Sequence, residues 1–254
     1  MKKLKYLPKE CASMSKIPKD IWCLGDEKLL ERPKVSIVGT RRPLAYTKDY
    51  TFKLARALAK RGVVTVSGAA MGVDAIAHQG AGAKSTIAVM ANGLDIRYPS
   101  VNKNLITDIE KRGLALSFYE PGFKARNWSF VARNELVVAL GEVLVVTEAE
   151  LKSGSMRSVE YALEMGKEIY VLAHRLNESS GTNWLLQEGK AKPIYNIDSF
   201  ANRFALYEEK RDSFLEFIEQ SPTLEAALEK FGDRVYEAEL EGAISIQNGM
   251  VQVL

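Results

Sequence analysis

The chain's 254 residues, 46% hydrophobic and 26% charged, supply apolar material for one large core or a core with an appendage, and exclude a disordered or fibrous protein. The net charge of +3 divides unevenly, with residues 208–254 summing to −7 and residues 1–207 to +10, so the body suits a polyanionic partner and the tail would repel one. No run approaches the ~18 consecutive apolar residues of a membrane helix, and the basic start Met1-Lys2-Lys3-Leu4-Lys5 has no apolar stretch behind it, so a cytoplasmic protein without a membrane partner is expected.

In chain order, residues 1–34 read as an N-terminal extension packing on the core. Cys11 and Cys23 cannot build a disulfide framework and are read as reduced thiols; no Cys/His cluster has metal-ligand spacing, so no metal is expected. Residues 35–207 alternate short β-branched runs with helical stretches. The runs are Val35–Val38, Val63–Val66, Thr86–Met90, Val143–Val146 and Ile169–Leu172, with a weaker one at Leu114–Ser117 and a late edge strand at Pro193–Tyr195. Between them, Phe52, Ala55, Leu58 and Ala59 repeat with helical period up to a stop at Gly62. Runs apolar on both faces belong between two helix layers, which predicts an α/β, doubly wound, Rossmann-like, mostly parallel sheet with helices on both faces.

From residue 208 the texture changes to a small, acidic, winged-helix-like domain. A helix is expected around Arg211–Glu219. Ser221-Pro222 reads as the cap and first turn of a second helix ending near Lys230, and Asp233–Glu241 as a third. The alternation of Ile244, Ile246, Val251 and Val253 about Asn248-Gly249 predicts a hairpin whose apolar residues close a small core.

Ligands of open α/β sheets bind beyond the carboxyl ends of the strands, where loops converge and helix N-termini present unpaired N–H groups. The loop Gly39-Thr40-Arg41-Arg42-Pro43 fits the dinucleotide pattern poorly but offers a hydroxyl and two guanidinium groups. Ser67–Asp74, Asn92-Gly93 and Lys152-Ser153-Gly154-Ser155 bring small or hydroxylated residues to three further strand ends, and together the loops predict a phosphate-lined pocket. Phe130 stands one helical turn before Arg133 and Asn134 and suits a stacked base. The competing structural readings are a core role for Phe130, a structural hydrogen bond for Asp74 and His78, and ordinary loop carboxylates for Glu148 and Glu150. No arranged catalytic set is found, and His174 is ambiguous.

The segments Val38-Gly39-Thr40-Arg41, Ser67 through His78, Gly93-Leu94-Asp95 with Tyr98-Pro99, Phe130 with Arg133-Asn134, and Lys152-Ser153-Gly154-Ser155 resemble, in order, the DprA/Smf family of DNA-processing proteins. The resemblance implies an extended Rossmann-like fold and a non-enzymatic single-stranded DNA-binding protein of natural transformation and recombination that protects incoming DNA, dimerises and helps load the RecA recombinase, with no cofactor. It implies that Gly39, Thr40, Arg41, Arg42, Ser67, Gly68, Asn92, Gly93, Phe130, Arg133, Asn134, Lys152, Ser153, Gly154 and Ser155 face the DNA. Three positions depart from the family pattern: Phe118-Tyr119 inserted before Glu120-Pro121, Glu135 in place of an arginine, and Ala173-His174 in place of Pro-Gly. Alternative readings on the same fold are a nucleotide phosphoribohydrolase-like enzyme, disfavoured because Ser153–Glu160 lacks a glycine pair, and a nucleotide-sensing module.

Overall fold

Short β-branched runs become strands where both of their faces can be covered. In chain order these are β1 Lys2–Lys3, β2 Trp22–Gly25, β3 Lys34–Val38, β4 Val64–Ser67, β5 Thr86–Met90, β6 Leu114–Ser117, β7 Val143–Val146, β8 Ile169–Val171 and β9 Lys192–Pro193. They form one nine-stranded sheet in the order β1-β2-β6-β5-β4-β3-β7-β8-β9. All neighbours from β6 through β9 pair in parallel, and β2 joins β6 antiparallel with Cys23 opposite Leu116. The computed structural model describes residues 1–205, 213–240 and 242–253, in two units, Met1–Glu208 and Glu209–Leu254.

The helices of the larger unit are α1 Ala45–Lys60, α2 Val73–Ala81, α3 Lys103–Arg112, α4 Asn127–Leu140, α5 Gly154–Glu164, α6 Ser180–Gln187 and α7 Ile197–Asn202. Strand side chains alternate between faces. Ile87 and Val89 therefore share a core with Leu136 and Leu140 of α4, while Ala88 and Met90 pack with Ile106 and Ile109 of α3. Val35 and Ile37 meet Leu54 and Leu58 of α1 and Val73 of α2. Phe52 lies off that buried stripe and is exposed, whereas Thr47, Thr51, Leu54, Ala55 and Leu58 are buried.

The sequence read residues 1–34 as an extension on the core, yet Trp22–Gly25 is a strand of the main sheet. Four residues between Lys19-Asp20-Ile21 and Asp26-Glu27 carry too short an alternation to be seen alone; pairing with β6 supplies the stabilisation. That pairing also buries every residue of Leu114–Ser117, the run that read as a weak strand.

Among its described residues the smaller unit holds three helices, α8 Ser213–Ile218, α9 Leu224–Phe231 and α10 Arg234–Leu240, and the hairpin of β10 Ile244–Gln247 with β11 Met250–Val253. The hairpin turn has positive φ at Asn248 (51°) and Gly249 (74°), the pair of left-handed residues that a tight two-residue turn needs. Ile244 and Val251 are buried and Ile246 partly so, but Val253, expected in the core, is exposed at the strand's end. Nor does Ser221 cap α9. Thr223 does, accepting from the Ala226 N–H at 3.2 Å, because the Pro222 carbonyl is taken by Val251 N at 2.9 Å and holds that stretch extended beside the hairpin. The boundary expected at residues 207/208, the helix start at Arg211, and the terminal residues Glu241 and Leu254 lie outside the described residues.

Candidate functional site

From β3 the chain adds β4, β5 and β6 in turn on one side and then crosses back through α4 to place β7 on the other, a reversal that opens a crevice between the loops that follow β3 and β7. A cleft of about 340 Å³ occupies it. Its walls include Gly39, Thr40 and Arg41 after β3, Ala70 and Asp74 after β4, Phe130, Val131, Arg133 and Asn134 of α4, and Ser153, Gly154, Ser155 and Ser158 at the start of α5. A smaller extension, sharing Arg41, Ala70 and Phe130, continues past Gly68, Met71, Asn92 and Tyr98.

The first loop is shaped by close packing. A Cβ on Gly39 would stand 2.7 Å from the Val73 side chain and 3.0 Å from the Glu148 carbonyl, so only glycine lets the chain turn here. Thr40 N donates to that carbonyl at 2.8 Å, and Val73 N donates to Thr40 O at 3.1 Å. Arg41 is left exposed, with its guanidinium 5.6 Å from the Phe130 ring centroid. Tyr98 stands 6.0 Å from the same ring. A cation and an aromatic face thus meet at the cleft mouth, the pairing that contacts a phosphate and a base together.

The second loop is held from within. Asp74 accepts from Gly68 N at 3.2 Å and Ala70 N at 3.4 Å. His78 Nε2 accepts from Ala69 N at 3.3 Å, and its Nδ1 meets Thr86 Oγ1 at 2.6 Å. The Thr86 hydroxyl itself donates to Thr65 O at 2.9 Å, which leaves Nδ1 as the protonated nitrogen. Burial, reinforced by the Arg133 charge, pulls His78 down to about 3, and burial pushes the Asp74 carboxyl up against the opposing pull of Arg133. Asn102 completes the clamp, donating to Ala69 O and Ala70 O at 3.0 Å each. These bonds hold Ala69 at φ 54°, a left-handed conformation that costs a non-glycine residue energy and persists only where the surroundings impose it.

Arg133 was expected to face DNA. It lines the cleft floor but is only 3% exposed, and its Nη1 donates to Val89 O at 2.6 Å. Gly68 lies so close that a Cβ would overlap the guanidinium. The residue braces the floor rather than presenting a free cation. Ser67 is fully buried and donates to Ile37 O at 2.6 Å, which corrects its expected exposure to ligand. Asn92 borders the smaller extension, but its amide is spent on Gly93 O and Ile96 O. Gly93 is buried against Glu120 and lines neither cavity. Arg42 and Lys152 are exposed beside the loops and outside the cleft wall. Gly39, Thr40, Arg41, Phe130, Asn134, Ser153, Gly154 and Ser155 come together as expected, with Gly68 at the edge.

The start of α5 carries the polar groups left over. Its first N–H groups have no intrahelical partner, and a Cβ on Gly154 would meet nothing within 4 Å. Ser153 Oγ and Ser158 Oγ are buried without a hydrogen-bond partner among the described residues, as is Arg133 Nε. Donors converging at a helix N-terminus form a site for an anion. The other carboxylates are occupied. Glu148 accepts from Leu44 N at 2.9 Å and from the Thr47 hydroxyl, capping α1; Glu150 accepts from Ser180; and Glu160 is exposed and paired with Arg157 at 2.7 Å. Glu135, in place of the family's arginine, turns away from the cleft and accepts from Ser15 N. His174 lies at Thr147 O, 2.8 Å away, under the Tyr46 ring. Asn102, Ser158 and Val131 are site residues that sequence reasoning missed, since no spacing links Asn102 to the loop it clamps.

A family profile described as DNA recombination-mediator protein A matches residues 2–205. DNA processing protein DprA of Bacillus subtilis is 35% identical over 186 residues, 71% of this chain and 62% of the relative. That of Streptococcus pneumoniae is 37% identical over 170 residues, 65% of this chain and 60% of the relative. The chain thus spans less than two thirds of the length of these curated relatives. Among solved structures, DNA processing protein A from Helicobacter pylori, for which a unique single-stranded DNA binding mode is described, superposes with TM-score 0.77 at 48% identity, over 79% of this chain and 94% of that one. DprA from Streptococcus pneumoniae superposes with TM-score 0.73 at 32% identity, over 79% of this chain and 72% of that one.

Proposed function

The chain belongs to the DNA recombination-mediator protein A family, and on that premise we propose that it binds single-stranded DNA in the cleft between the β3 and β7 loops, without turning the nucleic acid over. The observation that carries this reading is the convergence of exposed Arg41 over Phe130 with the open N-terminus of α5. A guanidinium and free N–H groups suit phosphate, and an aromatic face accepts any base, so binding tolerates sequence. Duplex DNA keeps its bases stacked inside and offers Phe130 nothing. The hydrolase alternative requires a carboxylate or imidazole free to move a proton, whereas Glu148 caps a helix and His78 is held neutral.

The biological role we propose with it is protection of incoming single strands in natural transformation and recombination, delivery to the RecA recombinase, and action as a homodimer; the relatives' names as DNA processing proteins support its DNA-processing part alone. Competition for a labelled oligonucleotide tests the molecular part. Unlabelled single strands should displace it, duplex of the same length should do so poorly, and the four common nucleoside monophosphates should neither displace it nor release free base. Tight binding and hydrolysis of a monophosphate would replace the DNA reading by the enzymatic one.

A further inference from the structure

The cleft does not use the most exposed aromatic of its own helix. Trp128, in the first turn of α4, is 54% exposed, although tryptophan is the side chain that gains most from burial. Its ring is fixed nonetheless. Tyr119 and Phe123 stack at 4.3 Å and 11°, and Trp128 stands 5.8 Å from each, at 74° and 67°. It is thus a propped, exposed indole.

Helix geometry relates it to the cleft. At ~100° per residue, Val131 lies ~60°, Asn134 ~120° and Phe130 ~160° around α4 from Trp128, all on one side. Val131, Asn134 and Phe130 line the cleft, and Val131, the nearest to Trp128, is 38% exposed at its rim. The arc that begins with Phe130 inside the cleft therefore ends with Trp128 outside it. Lys124 and Arg126, both exposed and making no ion pair among the described residues, directly precede the helix. An aromatic face beside two cations matches a base and its phosphates.

We propose that Trp128 is a second base-stacking platform, which engages the nucleotide of a single strand that leaves the cleft over Val131. The inference rests on the DNA reading of the cleft and extends the site outward along α4. A strand long enough to reach beyond Val131 gains this contact, and a shorter one confined to the cleft does not.

The test uses the full chain with ~4-nucleotide and ~12-nucleotide oligothymidylates. Trp128→Ala and Trp128→Leu should each weaken the long oligomer about 5- to 150-fold, the range of one lost base stack, and change the short one by less than about twofold. Trp128→Phe should retain most of the affinity, and Arg41→Ala should weaken both lengths. A measurement with the unaltered protein stands beside these: an abasic scan of the long oligomer should find one position outside the short footprint whose removal weakens binding, and Trp128→Ala should be indifferent to it. Equal losses on both lengths, no loss on either, or an altered sedimentation mass with unaltered DNA affinity would overturn the proposal, the last by making Trp128 a protein contact. If the unaltered protein binds neither oligomer, the reading of the cleft itself fails, a result distinct from failure of the Trp128 variants alone.

Discussion

Two arginines in one cleft carry different physics. Arg41 is exposed beside Phe130, so Arg41→Ala should weaken oligonucleotide binding by roughly 1–3 kcal/mol, the scale of a charged hydrogen bond, and leave the thermal midpoint unchanged. Arg133 is buried, donates to Val89 O and faces Asp74 electrostatically. Arg133→Ala should therefore cost at least about 2 kcal/mol of stability, read by denaturant unfolding, and lose DNA affinity through a loosened floor. His78 adds a pH dependence. Its folded pKa of about 3 lies below the unfolded value near 6.5, so the unfolded chain binds the extra proton between these limits. Stability is intact above pH 6.5 and falls by up to about 1.4 kcal/mol for each pH unit below it, down to about pH 3. His78→Gln should flatten that part of the curve; an unchanged slope would assign the acid sensitivity elsewhere.

At the scale of an element, α5 has a start built for an anion and none of its own there. The first turn of Gly154–Glu164 contains no acidic residue, and Ser153 caps it without a side-chain hydrogen bond. Ser155→Asp places a carboxylate against the unpaired N–H groups. It should stabilise the helix by about 0.3–1 kcal/mol while repelling phosphate from the same spot. A rise in thermal midpoint together with at least a tenfold loss of single-strand affinity is the expected signature. Loss of both would mean that the residue serves packing. Opposite signs on stability and binding arise because the protein leaves its best electrostatic position to the ligand.

At the scale of the whole chain, the two units differ in charge. Glu209–Leu254 sum to −6 and Met1–Glu208 to +9. Helix α10, where a duplex reader of this layout would place cations, carries Glu237 and Glu239 against Arg234. A chain ending at residue 205 should keep its single-strand affinity within a few-fold, and the slope of log affinity against log salt should hold at ~0.7 per neutralised phosphate. The removed unit should be needed for a protein contact, either with a second copy or with a basic partner, detectable by sedimentation. Loss of most DNA affinity by a folded truncated chain would show that the charge argument fails.

Periodicity and turn chemistry were enough, without coordinates, to determine the α/β class, six strands of the sheet and a late edge strand, which the structure places at Lys192–Pro193 rather than Pro193–Tyr195, the Asn248-Gly249 hairpin, and the loops that meet at the cleft. Those signals are local: a β-branched run, a glycine where a side chain would collide, an arginine after a strand. Tertiary structure alone decided what each polar group does once there. Ser67 and Arg133 carry the same side-chain chemistry as Thr40 and Arg41, yet the first pair is turned inward to Ile37 O and Val89 O and the second stands at the mouth. Trp22–Gly25 became a strand only because β6 offered an open edge, and Asn102 became a clamp only because the chain returns it to Ala69. A motif states which donors are available. Which of them remain free for a ligand depends on the long-range acceptors that folding brings within reach, because a buried donor must find one.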